Sequence, residues 1–176
     1  ALTIDEARAE AVAVVHARGR RTARENVTDL CDPGTLVQYG GTAVGQGLHG
    51  SIDDLLGYAP GDGMVMGLGQ INGDLFGETK SRAVVLSYDY TVLAGTQGGM
   101  NHKMMDRMFE TAEKLRVPVV LFAAGGGGRA GGGPLAGVAA ATSAAAVAGL
   151  VHGVAAVVDH AYVEETPALP HVGDAR

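Results

Sequence analysis

The chain has 176 residues, of which 47% are hydrophobic and 18% are charged, and its formal net charge is −6 at pH 7. A chain of this length can bury about two-thirds of its unfolded surface in one core, so we expect a single domain. The acidic balance argues against nucleic-acid binding, and the single cysteine, Cys31, excludes an internal disulfide and a multi-cysteine zinc site. The first residues lack the pattern of a signal peptide, and we expect a cytoplasmic protein.

The first third of the chain is predicted to be mainly helical. Residues 4–27 have helix-forming residues at high density, and Thr3 with Glu6 forms a capping-box pattern, which predicts one long helix. The turn residues Asp32-Pro33-Gly34 follow, because proline presets φ and glycine accepts a positive φ. A short strand is predicted at 36–39.

A second helix and a hairpin are predicted next. Ser51 and Asp54 can cap a short helix that ends near Leu56. An apolar strand is predicted at 64–71, and Asn72-Gly73 is the usual pair of a type I′ turn, so we expect a two-residue hairpin there.

The middle of the chain has the pattern of a strand-helix-strand unit. Residues 83–88 and 117–122 are buried-strand patterns, and between them apolar residues recur at spacings of three and four. The second strand runs into the glycine loop at 125–129. A functional loop at the C-terminal end of a strand is typical of an α/β fold. The apolar helix face consists of Met105, Met108, Phe109, Ala112 and Leu115.

Alanine and glycine dominate the chain from residue 123 to residue 156. The stretch 135–158 has no formal charge, so its length alone raises the possibility of a membrane span. Alanine and glycine gain little in hydrocarbon, and we expect a closely packed helix, a strand at 154–158 and an irregular tail after Glu164. No membrane association is expected.

A glycine run after a buried strand lets backbone N–H groups converge on a ligand, because no Cβ blocks the approach. If the ligand becomes an anion during reaction, such as a thioester enolate, the loop is an oxyanion hole, in which one donor contributes about 3 kcal/mol. The alternative is a flexible linker. The sequence has no P-loop, no G-x-S-x-G motif and no histidine spacing typical of a metal site, and no metal is assigned.

Five segments in the first three-quarters of the chain carry a family pattern. Residues 23–35 read A-R-E-N-V-T-D-L-C-D-P-G-T, and residues 89–96 read D-Y-T-V-L-A-G-T. A glycine-rich hairpin at 63–73, His102-Lys103 at a helix start and the glycine-arginine loop at 125–129 complete the set. In this order and spacing they resemble the propionyl-CoA and methylcrotonyl-CoA carboxylase β-subunit family of biotin-dependent carboxyltransferases.

The resemblance implies a crotonase (ClpP)-like ββα superhelix of the α/β class. It implies that residues 1–176 form a partial carboxyltransferase domain, the N-terminal, acyl-CoA-binding half, in which 134–176 has no convincing match. Gly126 and Gly127 would be the catalytic residues, donating N–H groups to the acyl-CoA carbonyl. The implied substrate-binding residues, with the two cations directed at CoA phosphates, are Ala94, Gly95, Lys103, Gly128 and Arg129.

The resemblance also implies partners. Biotin would be carried by a partner carrier domain, and its ureido nitrogen would remove the α-proton of the coenzyme A thioester, which is the substrate. We expect biotin carboxyl carrier and biotin carboxylase components, a second carboxyltransferase half and a homo-oligomer. The chain would be a fragment, a subunit of a split enzyme or a diverged relative, inactive by itself.

Two alternatives remain open. Another crotonase-type acyl-CoA enzyme, such as a hydratase, isomerase or decarboxylase, would use the same oxyanion hole but needs a protein carboxylate near the substrate, and Ala124 offers none. A non-catalytic scaffold would keep the fold and oligomerise through the Ala/Gly-rich helix.

Overall fold

A five-stranded mixed sheet lies at the centre of the molecule. The computed structural model describes residues 4–45, 50–125 and 127–128, together with the backbone of 156–159. The strands follow one another across the sheet in chain order. The first three are antiparallel neighbours, and the last three are parallel. The strands are β1 (Val37–Tyr39), β2 (Met64–Gln70), β3 (Arg82–Tyr88), β4 (Val119–Ala123) and β5 (Ala156–Asp159).

Helices cover both faces of this sheet. The α-helices are α1 (Ala9–Ala17), α2 (Ala23–Leu30), α3 (Ile52–Tyr58), α4 (Gly73–Phe76) and α5 (Gly99–Leu115). Short 3-10 turns lie at Asp5–Arg8, Gly61–Gly63 and Leu93–Gly95. Within the described residues, no helix combines the length and the apolar character needed to cross a bilayer.

The two faces of β3 bury different sets of side chains. Its alternate residues Val84, Leu86 and Tyr88 pack with the methionines of α5, whereas Ala83 and Val85 pack with α2. Successive side chains of a strand point to opposite faces, so a strand covered on both sides must be apolar throughout. This explains the unbroken apolar run that predicted β3, and α5 between the parallel strands β3 and β4 confirms the predicted strand-helix-strand unit.

The predicted single helix at 4–27 is wrong. Gly19 has φ +67, a left-handed conformation that ends α1, and α2 begins four residues later. Its capping box is formed by Thr22 and Glu25, each accepting a hydrogen bond from the backbone N–H of the other. A second capping pattern inside the helical stretch therefore marked a second helix. The expected cap residue Thr3 lies outside the described residues.

The predicted two-residue hairpin at Asn72-Gly73 is also wrong. Asn72 has the expected positive φ of +56, but it is the N-cap of α4, and β2 and β3 are joined by a longer connection. The carboxylate of Asp32 accepts hydrogen bonds from the N–H groups of Asn72 and Gly73, at 3.0 and 2.7 Å. Asp32, which lies 40 positions before Asn72, thus stabilises this segment as the start of α4.

The remaining predicted elements agree with the described backbone, apart from shifts at their ends. Strand β1 is present, and α3 begins with the expected capping box of Ser51 and Asp54. Strand β5 lies at 156–159, where 154–158 was expected. The predicted helix before it and the irregular tail lie outside the described residues.

We predict that Gly67→Ala destabilises the protein, because a Cβ at Gly67 would collide with the backbone carbonyl of Val37 in the neighbouring strand. The expected loss is about 1 to 3 kcal/mol of unfolding free energy, measured by urea denaturation. Gly57→Ala is the matched control, since a Cβ there meets nothing within 4 Å and the position is helical. It should stabilise by about 0.5 to 1 kcal/mol. Equal effects of the two changes would contradict the close approach of β1 and β2.

Candidate functional site

Two loops meet at the C-terminal ends of the parallel strands β3 and β4. We call residues 89–98 the β3 loop and residues 124–128 the β4 loop. Parallel neighbours end at the same edge of a sheet, so their loops lie side by side, which is where α/β folds place their ligands. Of the β4 loop, residues 124, 125, 127 and 128 are described.

The two loops touch backbone to backbone at Gly95 and Gly125. A Cβ on Gly95 would lie 2.6 Å from the carbonyl oxygen of Ala124 and 3.0 Å from the Cα of Gly125. A Cβ on Gly125 would in turn lie 2.5 Å from the carbonyl oxygen of Gly95. Both positions therefore require glycine, because any side chain would push the loops apart.

A hydrogen bond continues this contact beyond the strands. The N–H of Gln97 donates to the carbonyl oxygen of Gly127 at 2.8 Å, and Gln97 forms a parallel bridge with Gly128. The pairing of β3 with β4 thus resumes between their loops, which fixes the register of one loop against the other. This order is inconsistent with the alternative of a freely flexible glycine linker at these positions.

Both loops contain left-handed backbone conformations. Leu93, Ala94 and Gly95 have φ of 49°, 53° and 64°, and Gly127 has φ of +85. The left-handed conformation costs about 1 to 2 kcal/mol for a residue with a side chain, and such strain clusters at ligand-binding sites. A Cβ at Gly127 would meet nothing within 4 Å, so open space lies on this side of the β4 loop.

Tyr88 forms a floor beneath the β4 loop. Its ring lies 3.7 Å from the position of a Cβ on Gly125, and its hydroxyl donates to the sulfur of Met105 at 3.5 Å. Burial raises the pKa of Tyr88 to about 12, so the phenol stays protonated at neutral pH. Tyr88 therefore supports the loop and is unsuited to act as a base.

Asp89, at the first position of the β3 loop, is a structural carboxylate. Its Oδ1 accepts hydrogen bonds from the N–H and the hydroxyl of Thr91, at 2.9 and 2.5 Å. These bonds close a turn directly after β3. The described part of the two loops otherwise contains no carboxylate.

The start of α5 is capped from a distant turn. The fully buried carboxylate of Asp62 accepts a hydrogen bond from the N–H of Asn101 at 2.8 Å, and the Asn101 amide donates to the carbonyl oxygen of Asp62 at 3.2 Å. Burial lowers the pKa of His102, the next residue, so its imidazole is neutral at neutral pH. Lys103 follows with an exposed side chain.

The structure brings several of the predicted site residues together. Ala94 and Gly95 lie in the β3 loop, and Gly127 and Gly128 lie opposite them in the β4 loop. Lys103 lies on the first turns of α5, which leaves the β3 loop. The predicted residues Gly126 and Arg129 lie outside the described residues.

Sequence reasoning missed Tyr88, Asp62 and Asn101. Tyr88 ends the apolar strand β3, so its pattern predicts a core residue, and its place directly before the loop is the signal that could identify it. The pair of Asp62 and Asn101 joins positions 39 residues apart, and neither residue belongs to a local pattern.

Residues 14–154 match the family model of the carboxyl transferase domain. The chain belongs to this family. It is 34% identical over 110 residues to the propionyl-CoA carboxylase β chain of Saccharopolyspora erythraea, an alignment that covers 62% of this chain and 18% of that protein. The chain thus spans less than a fifth of the length of this curated relative.

Solved structures of carboxyltransferases share the fold. A single-chain, multi-domain long-chain acyl-CoA carboxylase is similar with a TM-score of 0.76 and 50% identity, over 88% of this chain and 16% of that one. The transcarboxylase 12S hexamer with methylmalonyl-coenzyme A bound has a TM-score of 0.62 and 25% identity, over 78% and 24% of the two chains. The α/β fold is therefore crotonase-like, as predicted.

We predict that Gly95→Ala separates the two loops. Gly19→Ala is the matched control, because Gly19 has a similar φ of +67 at the end of α1 but a Cβ there meets nothing within 4 Å. Both variants should lose about 1 to 2 kcal/mol of unfolding free energy, because alanine disfavours the left-handed backbone conformation. Gly95→Ala should lose about 1 to 3 kcal/mol more from the collision, measured by urea unfolding. Identical losses would show that the loops do not depend on this contact.

Proposed function

We propose that this chain is the acyl-CoA-binding half of a biotin-dependent acyl-CoA carboxyltransferase. The observation that carries the proposal is the contact of the β3 and β4 loops at Gly95 and Gly125, with open space beside Gly127. We call this open space the cleft, and it would admit a planar thioester. The family membership and the methylmalonyl-CoA-bound transcarboxylase support an acyl-CoA as the ligand.

The β4 loop would stabilise the enolate that forms when the thioester loses its α-proton. The N–H groups of Gly126 and Gly127 would donate to the carbonyl oxygen, which gains negative charge in the transition state. Donors held rigidly before the reaction need no reorganisation when that charge develops. The Gln97–Gly127 hydrogen bond supports such rigidity. Ala94 and Gly95 would form the opposite wall, and Gly128 would extend the cleft.

Neither Tyr88 nor the described residues of the two loops supply a general base. Tyr88 is protonated at neutral pH, Asp89 is engaged by Thr91, and Ala124 has no acidic group. A hydratase or isomerase, which needs a protein carboxylate at the α-carbon, is therefore less well supported. In the proposed reaction biotin carries the transferred carboxyl group and its ureido nitrogen removes the α-proton.

Biotin would be carried by a partner carrier domain. The proposed partners are a biotin carboxyl carrier, a biotin carboxylase component and a second carboxyltransferase half, and the proposed assembly is a homo-oligomer. The transcarboxylase 12S structure is a hexamer, which supports oligomerisation. Residues 1–176 would form the N-terminal half, and the proposed location is the cytoplasm.

We predict that Lys103→Ala weakens the binding of acyl-CoA. Lys103 and Arg129 would contact CoA phosphates, and loss of one charge-assisted hydrogen bond costs about 1 to 2 kcal/mol. Lys114→Ala is the matched control, since Lys114 is an exposed lysine in the last turn of the same helix. Calorimetry with acyl-CoA and with a CoA-free thioester should show a loss for the first ligand alone. Equal losses for both ligands would contradict the phosphate contact.

We predict that Gly127→Val impairs catalysis more than folding. In the enzyme with its complementary half restored, turnover should fall about a hundredfold or more, as on loss of an oxyanion donor. Gly19→Val is the control, because both glycines have a positive φ and open surroundings. The two variants should lose similar unfolding free energy, but Gly19→Val should keep the parent rate. Parent turnover by folded Gly127→Val would refute the oxyanion role.

A further inference from the structure

The β3 loop needs support at both ends. Leu93 and Ala94 are non-glycine residues in the left-handed region, a conformation that persists only where the surroundings enforce it. The contact with the β4 loop supports the far end, at Gly95. The near end begins at Thr91 and is held from a different part of the chain.

Arg8 provides that support. Its Nε donates to the hydroxyl of Thr91 at 3.1 Å, and its Nη2 donates to the backbone carbonyl of Thr91 at 2.6 Å. Its Nη1 donates to the carbonyl oxygen of Gly57, at the end of α3, at 3.1 Å. One guanidinium thus joins the N-terminal 3-10 turn, α3 and the β3 loop.

The support extends from Thr91 to both sides. The Thr91 hydroxyl accepts from Arg8 and donates to Asp89 at the end of β3. Val92, which follows, is fully buried, and its carbonyl oxygen accepts the N–H of Gly95 at 2.9 Å. A displacement of Thr91 would therefore also move Val92, and through it Ala94 and Gly95, which form one wall of the proposed site.

We propose that Arg8 is a positioning residue for the acyl-thioester cleft. It would set the distance of the Ala94–Gly95 wall from the β4 loop without touching the ligand itself, an inference that rests on the proposed function. Arginine is suited to this because its rigid planar fork can donate to three oxygens at once, whereas a lysine offers a single ammonium centre. Arg8→Lys is therefore a charge-conserving test of geometry.

A matched control lies on the same side of the molecule. Arg18 is an exposed arginine that contacts Tyr90, the residue before Thr91. The Cζ of Arg18 lies 5.9 Å from the centroid of the Tyr90 ring, and its Nη1 lies 3.3 Å from the Tyr90 hydroxyl. Its contact is with a side chain, whereas Arg8 holds backbone carbonyls. Arg18→Ala thus removes an arginine beside the β3 loop without removing the backbone support.

The experiment compares the parent chain with Arg8→Ala, Arg8→Lys and Arg18→Ala by calorimetry, using propionyl-CoA and free coenzyme A as probes well below the melting temperature. The Arg8 variants should lose about three- to tenfold in affinity for propionyl-CoA relative to coenzyme A. Arg18→Ala should keep the parent chain's ratio of propionyl-CoA affinity to coenzyme A affinity. A merely structural role of Arg8 would lower the melting temperature and leave this ratio unchanged.

A second readout does not depend on a ligand. In the unliganded chain, the backbone amide NMR resonances of Ala94 and Gly95 should shift in Arg8→Lys and stay in place in Arg18→Ala. Thr91→Val, which removes the bridging hydroxyl, should shift the same amides, and it replaces Arg8→Ala if that variant does not fold. Unshifted amides in Arg8→Lys would overturn the inference about Arg8. A parent chain that binds neither probe would instead overturn the proposed function.

Discussion

The site depends on the direct contact of two backbones at Gly95 and Gly125. Neither residue could carry a side chain, since each Cβ would lie within 2.6 Å of a carbonyl oxygen of the other loop. The contact is possible because β3 and β4 are parallel neighbours that end at one edge of the sheet. A change in the separation of these loops would therefore alter the space beside Gly127.

The supporting residues act at the ends of this contact. Tyr88 lies under the β4 loop and is anchored to α5 through Met105, while Arg8 and Asp89 hold the start of the β3 loop. Tyr88 belongs to β3 and Arg8 to the N-terminal 3-10 turn, whereas Asp89 lies in the loop itself. The strained backbone is thus held by its own neighbours and by Arg8, which lies 83 positions from Thr91.

The sequence predicted those features that arise from local periodicity. β3 and β4 are unbroken apolar segments, and α5 has apolar residues at helical spacing. These patterns are sufficient to predict the strand-helix-strand unit and the edge of the sheet at which the glycine loops lie. One error, the single helix at 4–27, overlooked the local capping pattern of Thr22 and Glu25. The other occurred where a distant group decided the local structure. Asp32 converts the Asn72-Gly73 turn into the start of α4. The contact of Arg8 with Thr91 spans 83 positions and leaves no trace in either local pattern.

The capping of α5 by Asp62 has a consequence for anion selectivity. A helix N-terminus attracts any anion, inorganic phosphate and chloride included, through its unpaired N–H groups and its dipole. Asp62 is a buried negative charge at this end of α5 and binds the N–H of Asn101. Anions would thus gain little from the N-terminal N–H groups of α5 themselves. In the proposed function, these groups would not compete with the glycine loop for an oxygen that becomes charged only while it reacts.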